Sequence, residues 1–291
     1  FFMDCQSGAI LEQITLFLGI WAMQVTVGVE NFCTNRLLKA EWGYSVYLKS
    51  DKTRLLLDTG SEGHAFTHNL KTLCIDPKAI EHIVFSHAHF DHTGGLVDAV
   101  LLAPTARRWG ARSMSIQRWA DADQKRNGGG GPLFRSMLTD PIDGWAQVTD
   151  EVIAFTVPQN ERDRRFVNSK NMWEEAENGE IIPDTFADDL SLLVKGKNGT
   201  SVVLGCAHAG LPNILRYAQK TFGVKEFDTV LGGTHLSAAK DEELPLWIEA
   251  LKTFPVKHWR PNHCTGFKAA AAMARAFDDV DWAGCGQRVT V

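Results

Sequence analysis

Residues 86–95 read Ser-His-Ala-His-Phe-Asp-His-Thr-Gly-Gly. His87, His89, Asp91 and His92 therefore bring three imidazoles and one carboxylate into six consecutive positions. Imidazole nitrogen and carboxylate oxygen are donors that zinc, iron and manganese accept. Metal held by such a set activates water or polarises a substrate oxygen. A solvated histidine cluster is the blander explanation. It would not require the order H-x-H-x-D-H directly behind an apolar strand.

The elements around this segment must hold it in place. Residues 82–85 read as a buried strand that stops at Ser86, and a helix opens at Gly94-Gly95 and runs through 100. Upstream, 23–28, 44–48 and 53–57 read as strands, the last running into Asp58-Thr59-Gly60, and 76–81 suggests a short helix. Downstream, 190–194 and 201–204 form a hairpin around an Asn198-Gly199 turn signal. Helices are expected at 211–221, at 242–254 with Leu244, Trp247, Ile248 and Leu251 on one face, and at 268–277. Strands are expected at 227–231 and 256–259. The stretch from about 103 to 187 is read as an insertion over one end of the site; it holds a flexible run, Gly128 to Gly131, and a charged stretch, Glu161 to Arg165. No repeat at a solenoid period is visible. A mixed α/β protein with two sheets and outer helices follows.

With 291 residues, 44% hydrophobic and 22% charged, the chain can bury a sizeable core. A net charge of −5 offers no basic stripe for phosphate backbones, so a nucleic-acid partner is not expected. A small anionic substrate is compatible, since bound metal reverses the local field. Cys5, Cys33, Cys74, Cys206, Cys264 and Cys285 are scattered without a CxxC pair, which suits reduced thiols and a cytoplasmic setting. Residues 9–23 are apolar but short, carry Glu12, and lack a basic start or an A-x-A site. Neither a signal peptide nor a membrane span is expected there. The expected organisation is an extension over 1–22 with the natural start at Met23, then one domain over 23–291. Oligomeric state is left open.

H-x-H-x-D-H followed by Gly-Gly resembles the signature of the metallo-β-lactamase superfamily. That resemblance implies a four-layer αββα sandwich with a dinuclear site at one edge, His87 and His89 on the first metal, and Asp91 and His92 on the second. Leu55-Leu56-Leu57-Asp58-Thr59-Gly60 is similar to the superfamily's early D-T-G strand, whose aspartate is structural. Val29-Glu30-Asn31, Ala40-Glu41-Trp42-Gly43-Tyr44-Ser45, Gly205-Cys206-Ala207-His208-Ala209-Gly210, Gly232-Gly233-Thr234-His235-Leu236 and His263-Cys264-Thr265-Gly266 occur along the chain in that order. Together they resemble the branch containing dihydropterin–ribofuranosylaminobenzene phosphate synthase, over residues 23–291. The resemblance implies His208 as third ligand of the first metal and His263 as ligand of the second. His235 is either a ligand or a proton donor behind the ligands, and the second role is favoured. Most superfamily members carry a metal-bridging aspartate where this chain has Cys206. Asp188 or Asp189 could swing in as a bridge, or could cap the following strand.

The expected activity is metal-dependent hydrolysis of a small phosphorylated or ester substrate. Two divalent transition metals, zinc foremost with iron or manganese as alternatives, would supply a metal-bound hydroxide. Asp91 would orient it and His235 would protonate the leaving group. The alternative is a synthase-like transfer in which the metals assist departure of diphosphate. A ligand-binding or regulatory protein without catalysis is the third reading, opposed by the complete metal motif. Arg164 and Arg165 are candidate phosphate ligands, against the plainer reading of a solvated face.

Overall fold

Val25, Val27, Leu55 and Leu57 bury their side chains toward one layer of the molecule, whereas Leu56, between two of them, turns to the opposite face. This alternation is the period-two signature of a strand covered on both sides. The structure, a computed structural model, describes residues 22–33, 35–121, 123, 126–167 and 172–291. Apart from Ala22, the expected extension lies outside the described residues.

The strands of the first half are β1 (Gln24–Val29), β2 (Ser45–Lys49), β3 (Arg54–Leu57), β4 (His82–Val84), β5 (Arg107–Ala111), β6 (Gln117–Trp119), β7 (Asn127–Gly130), β8 (Asp140–Ile142) and β9 (Trp145–Thr149). Those of the second half are β10 (Val152–Thr156), β11 (Trp173–Glu175), β12 (Ile181–Pro183), β13 (Leu190–Lys195), β14 (Thr200–Leu204), β15 (Phe227–Gly233), β16 (Val256–Asn262) and β17 (Arg288–Thr290). The helices are α1 (Gly63–Thr72), α2 (Phe90–Thr93), α3 (Leu96–Leu102), α4 (Pro132–Met137), α5 (Leu211–Phe222), α6 (Leu244–Leu251) and α7 (Phe267–Ala276).

One sheet has the order β17-β1-β2-β3-β4-β5-β8 and the other β16-β15-β14-β13-β10-β9. Their inner faces share one core: Val46, Leu48, Leu57 and Val84 meet Val152, Ala154, Leu192 and Val203. The outer face of the first sheet packs Leu56, Ile83 and Phe85 against Phe66 and Leu70 of α1 and Leu96 and Ala99 of α3. The outer face of the second packs Phe155, Leu193 and Val202 against α5 through Leu211, Ile214 and Leu215, with Ile248 and Leu251 of α6 and Met273 of α7. Each of these buried leucines contributes about 1.5–3 kcal/mol. The layers are α, β, β, α, the sandwich expected.

Topology then places the site. β3, β4 and β5 run parallel, and so do β14, β15 and β16. Parallel strands deliver their C-terminal ends to one edge, where the following loops can converge.

Of the stretch 103–187, expected as an insertion, β5 and β8 complete the first sheet and β9 and β10 belong to the second. The remainder forms a small sheet of order β12-β11-β6-β7 beside the H-x-H segment. The glycine run expected to be flexible is largely β7. Gly129 pairs with His89, and a Cβ there would stand 1.9 Å from the Ala88 carbonyl oxygen. Glycine is needed because two backbones touch. The expectation of six reduced thiols also needs correction: Cys74 is disulfide-bonded, while Cys33, Cys206, Cys264 and Cys285 are free. No helix among the described residues is long and apolar enough to cross a membrane.

Candidate metal centre

Asp58 follows β3 in a left-handed conformation, φ 59°. Its Oδ1 accepts from the Ser86 amide at 2.7 Å, and its Oδ2 accepts from the Ser86 hydroxyl at 2.6 Å. His92 Nδ1 lies 2.7 Å from the same Oδ2. Ser86 has one hydroxyl proton and gives it to Asp58. His87 Nδ1, 2.9 Å from that hydroxyl oxygen, must therefore be the donor of its pair. Both His87 and His92 are thus protonated at Nδ1 and present the Nε2 lone pair. This is how a metal-binding histidine is oriented from behind. Asp58 thus braces Ser86 and His92 from behind.

His263 follows β16 and is fixed in the same way. Its Nδ1 donates to Asn31 Oδ1 at 2.9 Å; that oxygen also accepts from the Gly43 amide, which settles the orientation of the Asn31 amide. Glu30 Oε1 takes the His263 backbone N–H at 2.7 Å. His89 Nε2 faces Asp184 Oδ2 at 3.5 Å, which leaves Nδ1 as the ring nitrogen free for a ligand. His208 lies flat on Phe186, ring centroids 4.2 Å apart and planes 8° apart.

Two groups of three converge. Candidate ligand atoms of His87, His89 and His208 lie within 4.8 Å of one another, as do those of Asp91, His92 and His263. In the second group Asp91 Oδ2 is 3.4 Å and His92 Nε2 is 3.2 Å from His263 Nε2. Tetrahedral ligands about 2.1 Å from one ion stand about 3.4 Å apart. His87 Nε2 and both ring nitrogens of His208 are buried with no hydrogen-bond partner in the protein. A buried polar atom left unpaired costs about 1–3 kcal/mol, and a cation bound by His87 Nε2 and one of the two His208 nitrogens removes that cost for those two atoms. The residues present fit a metal pair.

The electrostatics agree. Burial first, then the neighbouring imidazoles, push His87 and His208 well below the ordinary histidine range, so they stay neutral as ligands must. Burial opposes ionisation of Asp91, but His92 and His263 outweigh it and hold the carboxyl below its usual range. Burial would lower His263 too, yet its hydrogen bond to Asp91 leaves it raised.

His235 stands apart from both groups. Its ring is 4.3 Å from that of His208, its Nδ1 is buried without a partner, and burial with the surrounding histidines lowers it to about 4. The backbone there is left-handed, φ 53°, and its N–H donates to Cys264 Sγ. Of the six described non-glycine residues with positive φ, Asp58, Phe186, Ala207, His235 and His263 border this site, and Cys74 lies elsewhere. Strain gathered in one place marks where geometry, and not local preference, was selected.

The candidate bridging acids are engaged elsewhere. Asp188 Oδ1 pairs with Arg118 at 2.7 Å and Oδ2 accepts from the Ala88 amide at 2.8 Å. Asp189 Oδ2 accepts from the Ala209 amide at 2.8 Å, and burial pushes its carboxyl up to about 6. They anchor the loops that carry His89 and His208, and neither joins a converging group among the described residues. Arg164 and Arg165 lie on an exposed turn, and Arg165 closes back onto Asp163 at 2.6 Å. Sequence reasoning missed Asp184 and the buried Arg118, whose Nε lies 3.2 Å from Asp184 and which orders both acids behind the H-x-H segment. It also gave no role to Glu30 and Asn31, although the Val29-Glu30-Asn31 motif was the signal for them.

Residues 42–211 match the model of the metallo-β-lactamase superfamily. The chain is 28% identical over 245 residues to 7,8-dihydropterin-6-methyl-4-(β-D-ribofuranosyl)-aminobenzene-5'-phosphate synthase of Methanocaldococcus jannaschii, covering 78% of this chain and 81% of that one. The crystal structure of Tm1679, a metal-dependent hydrolase of the β-lactamase superfamily, superposes with a TM-score of 0.78 at 27% identity, over 92% of this chain and 99% of the other. YhfI from Bacillus subtilis, a metallo-β-lactamase fold protein, matches with a TM-score of 0.53 at 12% identity over 93% and 100% of the two chains, a likeness of fold alone. The chain belongs to the metallo-β-lactamase superfamily.

Proposed function

We propose that this protein is a metal-dependent hydrolase of a small phosphorylated or ester substrate, working with two divalent transition metals, zinc foremost. The observation that carries the reading is the pair of converging groups, His87-His89-His208 and Asp91-His92-His263, with buried ring nitrogens that have no partner in the protein. When bound, two such ions lower the pKa of a water between them and neutralise charge on the reacting group.

The chain's own residues do the rest. Asp58 and Asn31 hold His92 and His263 with Nε2 facing inward. Asp91, ionised and only slightly exposed, orients the attacking water. His235 is neutral at pH 7, so the proton it hands to the leaving group is one it first takes from that water. The substrate is small and anionic. Arg164 is exposed and available to a phosphate; Arg165 would first have to leave Asp163.

A second reading is a synthase-like transfer in which the metals hold a departing diphosphate. The Methanocaldococcus jannaschii relative favours it. So does Trp42, an exposed indole 5.7 Å from the His263 ring, which offers a flat surface to a planar substrate. The test is an assay of metal-loaded protein on phosphodiesters, carboxylic esters, lactones and a pterin diphosphate with an arylamine acceptor. Metal-dependent turnover of the first three supports hydrolysis. Turnover only of the last, with diphosphate released, replaces the hydrolase reading with transfer.

A further inference from the structure

Cys206 belongs to neither converging group of three and lies against both. Its Sγ groups with ring nitrogens of His87 and His92, and separately with His263 and Cys264, all within 4.8 Å. His87 belongs to the first converging group, and His92 and His263 to the second. Among the described residues outside those two groups, Cys206 is the one that converges with members of both. Its Sγ is 3.0 Å from His92 Nε2. The residue is buried, and His87 Nε2, also buried, has no partner in the protein.

The backbone fixes this side chain. Cys206 follows β14 directly after Gly205, where a Cβ would stand 2.2 Å from the Ser86 hydroxyl, so only glycine lets the chain pass so close to His87. The Gly205 carbonyl accepts from the Gly233 amide at 2.9 Å, tying the end of β14 to β15. The two acids that could have reached between the metals are held by Arg118, Ala88 and Ala209.

We propose that Cys206 binds both metals through its sulfur, as a thiolate bridge in the place a carboxylate would otherwise fill. The inference rests on the two-metal reading above. Metal binding displaces the thiol proton to solvent and forms two metal–sulfur bonds; no electron changes hands. Thiolate is a soft donor, suited to zinc or iron and poorly suited to magnesium, calcium or manganese. The site is therefore expected to select zinc, cobalt or iron over manganese, which a carboxylate bridge would not enforce.

The test is cobalt(II) loading of the full chain, read by metal stoichiometry and by the near-ultraviolet sulfur-to-cobalt charge-transfer band. The expected result is two cobalt ions per chain with the band present. Cys206→Ser and Cys206→Ala should lose the band and retain one tightly held ion. Cys206→Asp should hold two ions without the band, and Cys264→Ser should keep both ions and the band. Circular dichroism confirms folding of each variant, and the aspartate variant keeps the test decisive if the shorter side chains unfold. A band that survives Cys206→Ala, or that disappears with Cys264→Ser instead, overturns the bridge while leaving the two-metal enzyme intact. Wild-type protein that binds no cobalt overturns both.

Discussion

Asp58 Oδ2 and His92 Nδ1 are 2.7 Å apart, with both side chains fully buried. The contact joins the end of β3 to the turn of α2, and through Ser86 it orients His87 as well. One carboxylate from outside the H-x-H-x-D-H segment thus sets two of its imidazoles. Asp58→Asn keeps the size but replaces one acceptor oxygen with a donor that faces a donor. Metal affinity should fall about 10- to 100-fold, the usual effect of losing an outer partner of a ligand. Chelator competition measures it, and an unchanged affinity would show that Asp58 serves folding only.

The two late histidines should separate cleanly. His263→Ala removes a candidate ligand whose Nε2 lies 3.2 Å from His92 Nε2, so metal content should drop towards one ion per chain. His235→Ala should keep both ions and slow turnover by about a hundredfold, the scale of general acid–base catalysis. Metal counts and rates of the two variants, taken side by side, decide the assignment. Metal loss in His235→Ala with retention in His263→Ala reverses it.

Stability of metal-free protein should depend on pH in a defined direction. His87 and His208 have folded-state pKa values well below the ordinary 6.5. A depressed histidine contributes stability above its unfolded pKa and loses it as pH falls, because the unfolded chain takes up protons that the folded one refuses. The loss begins near pH 6.5 and amounts to at most about 1.4 kcal/mol per pH unit per histidine. His263, which is raised, works weakly in the opposite sense. Melting of chelated protein at pH 7.5 and 5.5 should show a marked fall, reduced in His208→Ala. A flat profile would mean that these rings are not buried without metal.

Gly205→Ala tests the close passage behind His87. Its Cβ would meet the Ser86 hydroxyl at 2.2 Å, and the Ser86 side chain would have to leave both Asp58 and His87. The expected outcome is weakened metal binding with a destabilisation of about 1–3 kcal/mol, typical of overpacking. Denaturant unfolding and metal titration check it.

Much of this architecture was legible from local signals. His87, His89, Asp91 and His92 sit within one turn after a strand, so their convergence needs little long-range information. His208, His235 and His263 were visible because each follows a strand at a glycine- or proline-marked end. Asp184 and Arg118 were not, because they meet only through tertiary packing of the small sheet, whose strands are three or four residues long. β8 contains Pro141 and β7 is mostly glycine, so neither carries strand propensity. The helix Gly63–Thr72 was missed because it lacks a side-chain cap and an acidic first turn. Cys206 was noticed only as a missing aspartate, since nothing in a sequence reveals that one sulfur lies between two groups of histidines.

Six side chains in two groups are expected to hold two metal ions on which activity depends. Elemental analysis of protein purified without chelator, paired with activity before and after chelation, tests it most directly. Close to two zinc, iron or cobalt ions per chain are expected, with loss of activity on removal and recovery on return. Fully active protein that contains no metal would contradict it.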